Sequence, residues 1–290
     1  MVYAENRLYD RQGYRILQDG TIAMLNPLTY SFLFPVGIII AVLAMSAGIS
    51  GSNFWIPVYL LWLGLDTLTT FWLALLTMIF GFGSGIIRNV RGGNVNWDIV
   101  KGYLKIAVPF AVLGTLLIPF APVKILLFLF ATFVLGYGGF LVHQYLLYRR
   151  GREPAGAETH NEIYWKRAAL GGFLKGLIAT GTGKLIMPGI LGHEKIRSPA
   201  EAVGTTVLII FVVNLFAVTF RLTPDFLSSL AAQGDLIVAI MIWVAPAVFI
   251  GGQIGPSIAG RMSVQGMKLY AGILLLCVSL LIYLRAFAVL

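Results

Sequence analysis

Long uncharged stretches alternate with short polar ones along almost the whole chain. No charged residue occurs over 20–65, and further uncharged blocks run over 67–87, 106–123, 125–148, 202–220, 236–260 and 269–284. A membrane-crossing helix needs roughly 17 to 25 apolar residues, so six of these blocks each predict one crossing. The region 168–192 has the same character but is interrupted by Lys175 and Lys184. Continuous apolarity, without alternation at period two, predicts helices and argues against a membrane barrel. Ahead of the blocks, Glu5, Arg7, Asp10, Arg11, Arg15 and Asp19 leave no apolar core of the kind a signal peptide requires, so this region reads as a polar lead-in.

The long polar gap, 149–167, divides the apolar blocks into two similar sets. Pro109, Gly114, Pro119 and Lys124 recur as Pro246, Gly251, Pro256 and Arg261, all displaced by 137 positions, while Arg88 recurs as Arg221 and Pro57 as Pro188. Matched landmarks at one offset point to an internal duplication. The expected organisation is a polar tail over 1–31, a first membrane repeat over 32–148, a linker over 149–167 and a second membrane repeat over 168–290. The expected fold class is an all-α polytopic membrane protein of two homologous four-segment halves with broken first helices, about eight membrane-embedded segments in all.

The first segment of each half shares an irregular plan. An apolar run gives way to Ala47-Gly48-Ile49-Ser50-Gly51-Ser52-Asn53, with Pro57 following; in the second half Ala179-Thr180-Gly181-Thr182-Gly183-Lys184 is followed by Pro188. Glycine, serine and threonine at this density favour turn, and a proline a few residues later suits the first turn of a new helix. Each segment is therefore predicted to be two short helices joined by an unwound loop. Hydrocarbon cannot satisfy unwound backbone, so the loops are expected to face each other inside the protein. A helix that begins after such a loop presents unpaired N–H groups and the positive end of its dipole, which suits an anion.

The candidate substrate-binding residues are accordingly Ser50, Gly51, Ser52, Asn53, Thr180, Gly181, Thr182, Gly183 and Lys184. The neutral donors would replace the hydration shell of a small oxyanion, and Lys184 would supply charge, against the plainer reading that it snorkels toward headgroups. Asn214 and Gln253, amides within apolar runs, join the candidates, against the plainer reading of hydrogen bonds between helices. Arg88 and Arg221 read as interfacial anchors at helix ends, and Glu201 as dipole compensation in a first helical turn.

Two topologies fit. If each broken segment crosses, most cations gather on the side of both termini, which the positive-inside rule places in the cytoplasm. If each is a re-entrant hairpin, the cations regroup just as unevenly, the termini lie outside and the halves become inverted repeats. Charge does not choose between them. The region 168–192 suffices for one broken crossing, and on that ground eight segments with cytoplasmic termini are expected.

Composition narrows the chemistry. Charged residues make up 11% of the chain, against roughly 25% in soluble domains. Apolar residues make up 58%, and the mean hydropathy is +0.86. The net charge of +9 reports loops and anionic headgroups and not nucleic acid. Cys277, the one cysteine, offers no disulfide or CxxC. His143, His160 and His193 are scattered without HExxH spacing, so no metal is expected. Gly181-Thr182-Gly183-Lys184 lacks the upstream glycine and following hydroxyl of a phosphate loop. No cofactor and no enzymatic activity are expected.

The duplicated plan and the glycine-rich loops before Pro57 and Pro188 resemble the TauE/SafE sulfite exporter family, also called the toluene sulfonate uptake permease family. Ala202-Val203-Gly204-Thr205-Thr206 and Gly92-Gly93-Asn94-Val95-Asn96-Trp97 are supporting echoes, and the resemblance runs from about Phe34 to Phe287. It implies a multi-pass carrier in the cell inner membrane, exporting small sulfur-containing anions such as sulfite, sulfoacetate or other sulfonates by alternating access. The lipid bilayer and the anion are its expected partners; a coupling ion such as H+ or Na+ and a homodimer are left open. The alternative from another class is a non-transporting membrane receptor or scaffold that binds an anion or a partner protein.

Overall fold

The computed structural model describes residues 15–16, 22–23, 26–46, 50–151, 160–259 and 264–288. Gly48 and Ile49 of the first loop, the middle of the linker and Arg261 lie outside the described residues. Among the described residues the fold is all-α apart from a two-residue antiparallel pairing of Arg15–Ile16 with Ile22–Ala23 and an isolated bridge between His160 and His193. After a 3-10 turn at Pro27–Tyr30 come α1 (Leu33–Ser46) and α2 (Ser52–Pro57), the latter continued by a π-helical turn over Val58–Trp62. Then follow α3 (Thr67–Arg91), α4 (Trp97–Leu116) and α5 (Val123–Arg149). The second half has α6 (Trp165–Ile178), α7 (Thr182–Leu191), α8 (Pro199–Phe220), a short α9 (Pro224–Ala232), α10 (Gly234–Ala259) and α11 (Val264–Ala288).

Polar residues at the edges of the apolar blocks start the long helices. Asp66 accepts from Leu68 N and Thr69 N at 3.0 Å, Asn96 from Ile99 N at 3.2 Å, and Ser198 from Glu201 N at 3.2 Å. Each bond satisfies a first-turn N–H that has no partner within its helix. Among the described residues, seven helical stretches are long and apolar enough to cross a membrane: Pro27–Met45, α3, Trp97–Phe120, α5, α8, Gly234–Ile254 within α10 and Lys268–Phe287 within α11. Their outward faces are apolar, as at Phe120, Leu280 and Phe287. That is the surface a hydrocarbon solvent selects.

The two broken segments are re-entrant hairpins, which overturns the expected crossings. In the first, Phe32, just before α1, packs on Trp62 at the end of the π-turn, with ring centroids 4.9 Å apart. Near the tip, Gly51 packs on Ala44. In the second, His160 N donates to Gly192 O at 3.0 Å and Glu194 N to His160 O at 2.9 Å, so the chain before α6 lies beside the chain after α7. Thr182 Oγ1 donates to Gly171 O at 2.8 Å, tying the arms together near the turn. In the second hairpin neither arm is long enough to cross alone: α6 has 14 residues, about 21 Å at 1.5 Å each, against a hydrocarbon core of roughly 30 Å.

With both hairpins folded back, α3, α4, α5, α8, α10 and α11 remain as crossings, and the hairpins enter from opposite faces. On one face, Gln233 Nε2 reaches Asp66 Oδ2 at 3.5 Å, beside the base of the first hairpin. On the other, Asn96 Nδ2 donates to Lys195 O at 3.0 Å and Asn96 N to Thr205 Oγ1 at 2.9 Å, beside the base of the second. The motif echoes Gly92–Trp97 and Ala202–Thr206 are thus one clasp, with Gly204 seated under the Asn94 carbonyl.

Each hairpin is held by the other half of the chain. In the second, α6 lies on α4, where Gly172 and Gly176 admit the backbone carbonyls of Ala107 and Ala111 and Gly114 admits that of Phe173. In the first, α1 lies on α10, where Gly251 admits Ala41 and the Ile38 backbone. Small residues at such seams let backbones approach closely, which is how helices gain packing energy in lipid. Two further pairs, α3 with α8 and α5 with α11, close the bundle, the latter at Gly138 and Gly272.

Candidate functional site

The hairpin tips meet beside the middle of two crossing helices. Gly51 packs against Met78, midway along α3, and Gly183 against Ile210, midway along α8. Backbone conformation at the second tip requires its sequence: Gly181 has φ +118°, a region closed to side chains with a Cβ, and Ala179 is held left-handed at φ +59°. A non-glycine residue in that conformation stores strain, which the surrounding bonds must hold in place.

Hydrogen bonds join the tips directly. Ser52 Oγ donates to Ala179 O at 2.8 Å, and Thr180 Oγ1 donates to Asn53 Oδ1 at 2.8 Å. Ser50 and Ser52 share a bond at 2.8 Å, and Asn53 Nδ2 donates to Ser50 O at 2.9 Å. Lys184 Nζ reaches Asn53 Oδ1 at 3.3 Å and Thr180 Oγ1 at 3.5 Å, with Tyr137 and Phe133 of α5 presenting ring faces at 4.5 and 5.0 Å. The expected loop-to-loop meeting is therefore present, and Lys184 points into it, away from any headgroup region.

Lys175 is a functional candidate that sequence reasoning missed. It is 1% exposed, and its Nζ donates to Ser50 Oγ at 3.3 Å and Ala179 O at 3.1 Å. Lys175 stands four residues before Ala179 and Lys184 four after Thr180. Under a hairpin reading this equal spacing about the turn signals that both amines reach the tip. Read as a crossing, the segment sets them nine residues apart along the membrane normal, about 14 Å at 1.5 Å per residue.

Arg221 also departs from its expected role. Arg88 is exposed, but its repeat counterpart Arg221 is 6% exposed and donates to Gly176 O at 2.5 Å and Leu177 O at 3.3 Å. These are last-turn carbonyls of α6, which no helical N–H satisfies, and a cation there complements the helix dipole. Arg221 thereby fixes the end of α6 just before the turn. Among the described residues no carboxylate contacts Lys175, Lys184 or Arg221; the ion pairs present are Lys195 with Asp98 and Arg197 with Glu201. Glu201 also accepts from Arg197 N at 2.7 Å and lies in the first turn of α8, in line with its plainer reading.

The remaining candidates separate. Thr182 spends its hydroxyl on Gly171 O within its own hairpin. Asn214 is fully buried with neither amide atom hydrogen-bonded, one turn beyond the Ile210 that packs on Gly183. Gln253 does not join the tips: its Nε2 donates to Ser84 O on α3 at 2.8 Å, a bond between helices. His160 and His193, scattered in sequence, come together at the base of the second hairpin with ring centroids 5.6 Å apart.

Two buried amines, a buried guanidinium and a set of neutral hydroxyl and amide groups, with no acidic partner among the described residues, form an environment short of negative charge. Burying a cation without a counter-ion is costly, and an anion arriving from outside the chain relieves that cost. The family model described as sulfite exporter TauE/SafE matches residues 33–282, nearly the whole membrane region. No curated protein and no solved structure gives a significant match. The chain belongs to the TauE/SafE sulfite exporter family.

Proposed function

We propose that this member of the TauE/SafE family is a secondary carrier that exports small sulfur-containing anions such as sulfite, sulfoacetate or other sulfonates. The anion binds between the two hairpin tips, with Lys184 and Lys175 supplying charge and Ser50, Ser52 and Thr180 supplying neutral contacts. The observation that carries this reading is the convergence of both lysines on tip acceptors, without a carboxylate among the described residues to neutralise them. Sulfur as the central atom comes from the family, since the geometry asks only for an anion of small size.

Alternating access suits an architecture in which the hairpins enter from opposite faces and meet at their tips, since withdrawing either tip opens the site to one side. The hairpin topology also favours one orientation. The exposed cations Arg88, Arg91, Lys101, Lys105, Arg149, Arg150, Lys166, Arg167, Lys195 and Arg197 share the face of the second hairpin's base. By the positive-inside rule that face is cytoplasmic and both termini lie outside, the reverse of the arrangement expected for crossings.

The test is flux. Purified protein reconstituted in liposomes should move radiolabelled sulfite or sulfoacetate faster than empty vesicles, and Lys184→Met and Lys175→Met should each reduce the rate. Stabilisation by the anion without flux would favour the receptor reading, and neither response to a panel of sulfur anions would refute the site.

A further inference from the structure

We propose that Asn53 is a built-in stand-in for the substrate: its amide oxygen holds the seat of a substrate oxygen in the empty site, and the anion enters by displacing it from Lys184 and Thr180. The identity of the displacing ligand rests on the anion-carrier reading above.

Asn53 is fully buried at the first hairpin tip, yet its side chain is directed across to the second. Its Oδ1 accepts from Thr180 Oγ1 at 2.8 Å and from Lys184 Nζ at 3.3 Å, so a single oxygen gathers two donors from the other hairpin. The bond from Asn53 Nδ2 to Ser50 O at 2.9 Å fixes which end of the amide is the oxygen. An ammonium has three donors and no acceptor. Around Lys184 the hydrogen-bond acceptors among the described residues are this amide oxygen and the Thr180 hydroxyl, with the faces of Tyr137 and Phe133 beside them.

Charge decides what such a seat can exchange. An amide oxygen satisfies the geometry of the ammonium but brings no negative charge. An oxyanion in the same place makes a charge-assisted bond roughly twice as strong. A neutral solute has no such advantage and meets a closed tip. An asparagine serving only as a link between helices would be satisfied by Thr180 and Ser50 and would not need to face a lysine.

The same bond joins the two hairpins, so displacing Asn53 also loosens one tip from the other. Ser52 to Ala179 and Lys175 to Ser50 remain. Substrate entry and release of the latch are then one event. Asn53→Asp keeps the shape and supplies the missing charge, which turns a replaceable stand-in into a tethered anion that holds the hairpins shut.

The experiment uses the purified full chain as wild type, Asn53→Asp, Asn53→Ala and the Asn53→Asp/Lys184→Met double variant, with sodium sulfite as the probe. Thermal unfolding is measured with and without sulfite, and flux in liposomes. Asn53→Asp is expected to unfold at a higher temperature than wild type without sulfite, a gain that disappears when Lys184→Met is added. It should show no further rise with sulfite and should lose about tenfold or more of its flux, the scale of one charge-assisted bond. Asn53→Ala removes the competitor and is expected to bind sulfite with a lower Kd than wild type.

A sulfite response retained in Asn53→Asp, or a gain independent of Lys184, overturns the proposal. Where Asn53→Asp does not fold, Asn53→Ala decides, and an unchanged or weaker sulfite affinity overturns it. The gain of Asn53→Asp over wild type and its dependence on Lys184 are measured without sulfite. They separate failure of the latch from failure of the carrier reading, which alone is overturned by a wild type that ignores sulfite.

Discussion

Hairpins and crossings differ in which loops share a membrane face, and single cysteines read that directly. The native Cys277 is exposed and is first replaced by serine. Glu162→Cys and Lys195→Cys then flank the second hairpin at exposed positions, and Ser229→Cys sits on α9 at the opposite face. The lengths of the arms set the expectation. With 14 residues in α6 and 10 in α7, the arms measure about 21 and 15 Å at 1.5 Å per residue. Laid end to end they reach about 36 Å and span a core of roughly 30 Å; folded back, the longer arm alone falls short of it. The assay is labelling by a membrane-impermeant maleimide in sealed right-side-out and inverted vesicles. Glu162→Cys and Lys195→Cys should label from the same face, exposed in inverted vesicles, and Ser229→Cys from the other. Labelling of the first two from opposite faces would refute the hairpin, and with it the convergence of Lys175 and Lys184 on one tip.

Three further outcomes follow from local geometry. Thr182→Val removes the hydroxyl bond to Gly171 that staples the second hairpin, and thermal unfolding should report a loss of about 0.6 to 1.7 kcal/mol, the range for side-chain bonds in membrane bundles. Gly176→Ala drives a methyl into the Ala111 carbonyl and should destabilise by about 1 to 3 kcal/mol, whereas Gly136→Ala meets nothing within 4 Å and should stabilise its helix by up to about 1 kcal/mol. Burial holds the His193 imidazole below its ordinary 6.5, helped by the neighbouring His160 and Lys195 and opposed by Glu194. Its Nδ1 accepts from Lys195 N at 3.1 Å, a bond that needs the unprotonated nitrogen. A depressed value means that the unfolded chain takes up the proton first, so this stability is whole above about pH 6.5 and fades as pH falls through the folded value. Unfolding temperatures measured from pH 7.5 to 5 should fall more in wild type than in His193→Asn.

The parts of this fold that depend on local physics were legible in the sequence. Uncharged blocks became long helices because hydrocarbon tolerates little else, and the described residues of both glycine-rich loops meet inside the protein, for the same reason. The hidden part was the direction of the chain after each turn. Either direction satisfies backbone hydrogen bonds and uses the same number of apolar residues, so hydropathy carries no information about it, and the cation tally is equally uneven in both cases. Lys175 was lost through that ambiguity, because only a hairpin returns it to the tip beside Lys184. Arg221 was misread for a related reason: a helix-end arginine looks like an anchor until the end of α6, reached from another part of the chain, arrives beneath it. Gln253 followed its plainer reading because a carbonyl on α3 was within reach.

The landmark spacing also bears on where the candidate site lies. The offset of 131 that relates Pro57 to Pro188 relates Asn53 to Lys184 as well, and these two residues touch at 3.3 Å. Residues that meet their own counterparts lie next to an axis of twofold relation, as in any self-complementary interface. The seams agree: Gly138 of α5 lies against Gly272 of α11, while the landmark glycines Gly114 and Gly251 each seat the first arm of the opposite hairpin. Two lysines at this pair would set cation against cation; an amide on one side and an ammonium on the other let the tips close without repulsion. The same offset from Lys175 leads to Ala44, so the first hairpin lacks both amines. Both buried amines therefore ride on the second hairpin, and the first brings neutral groups to meet them.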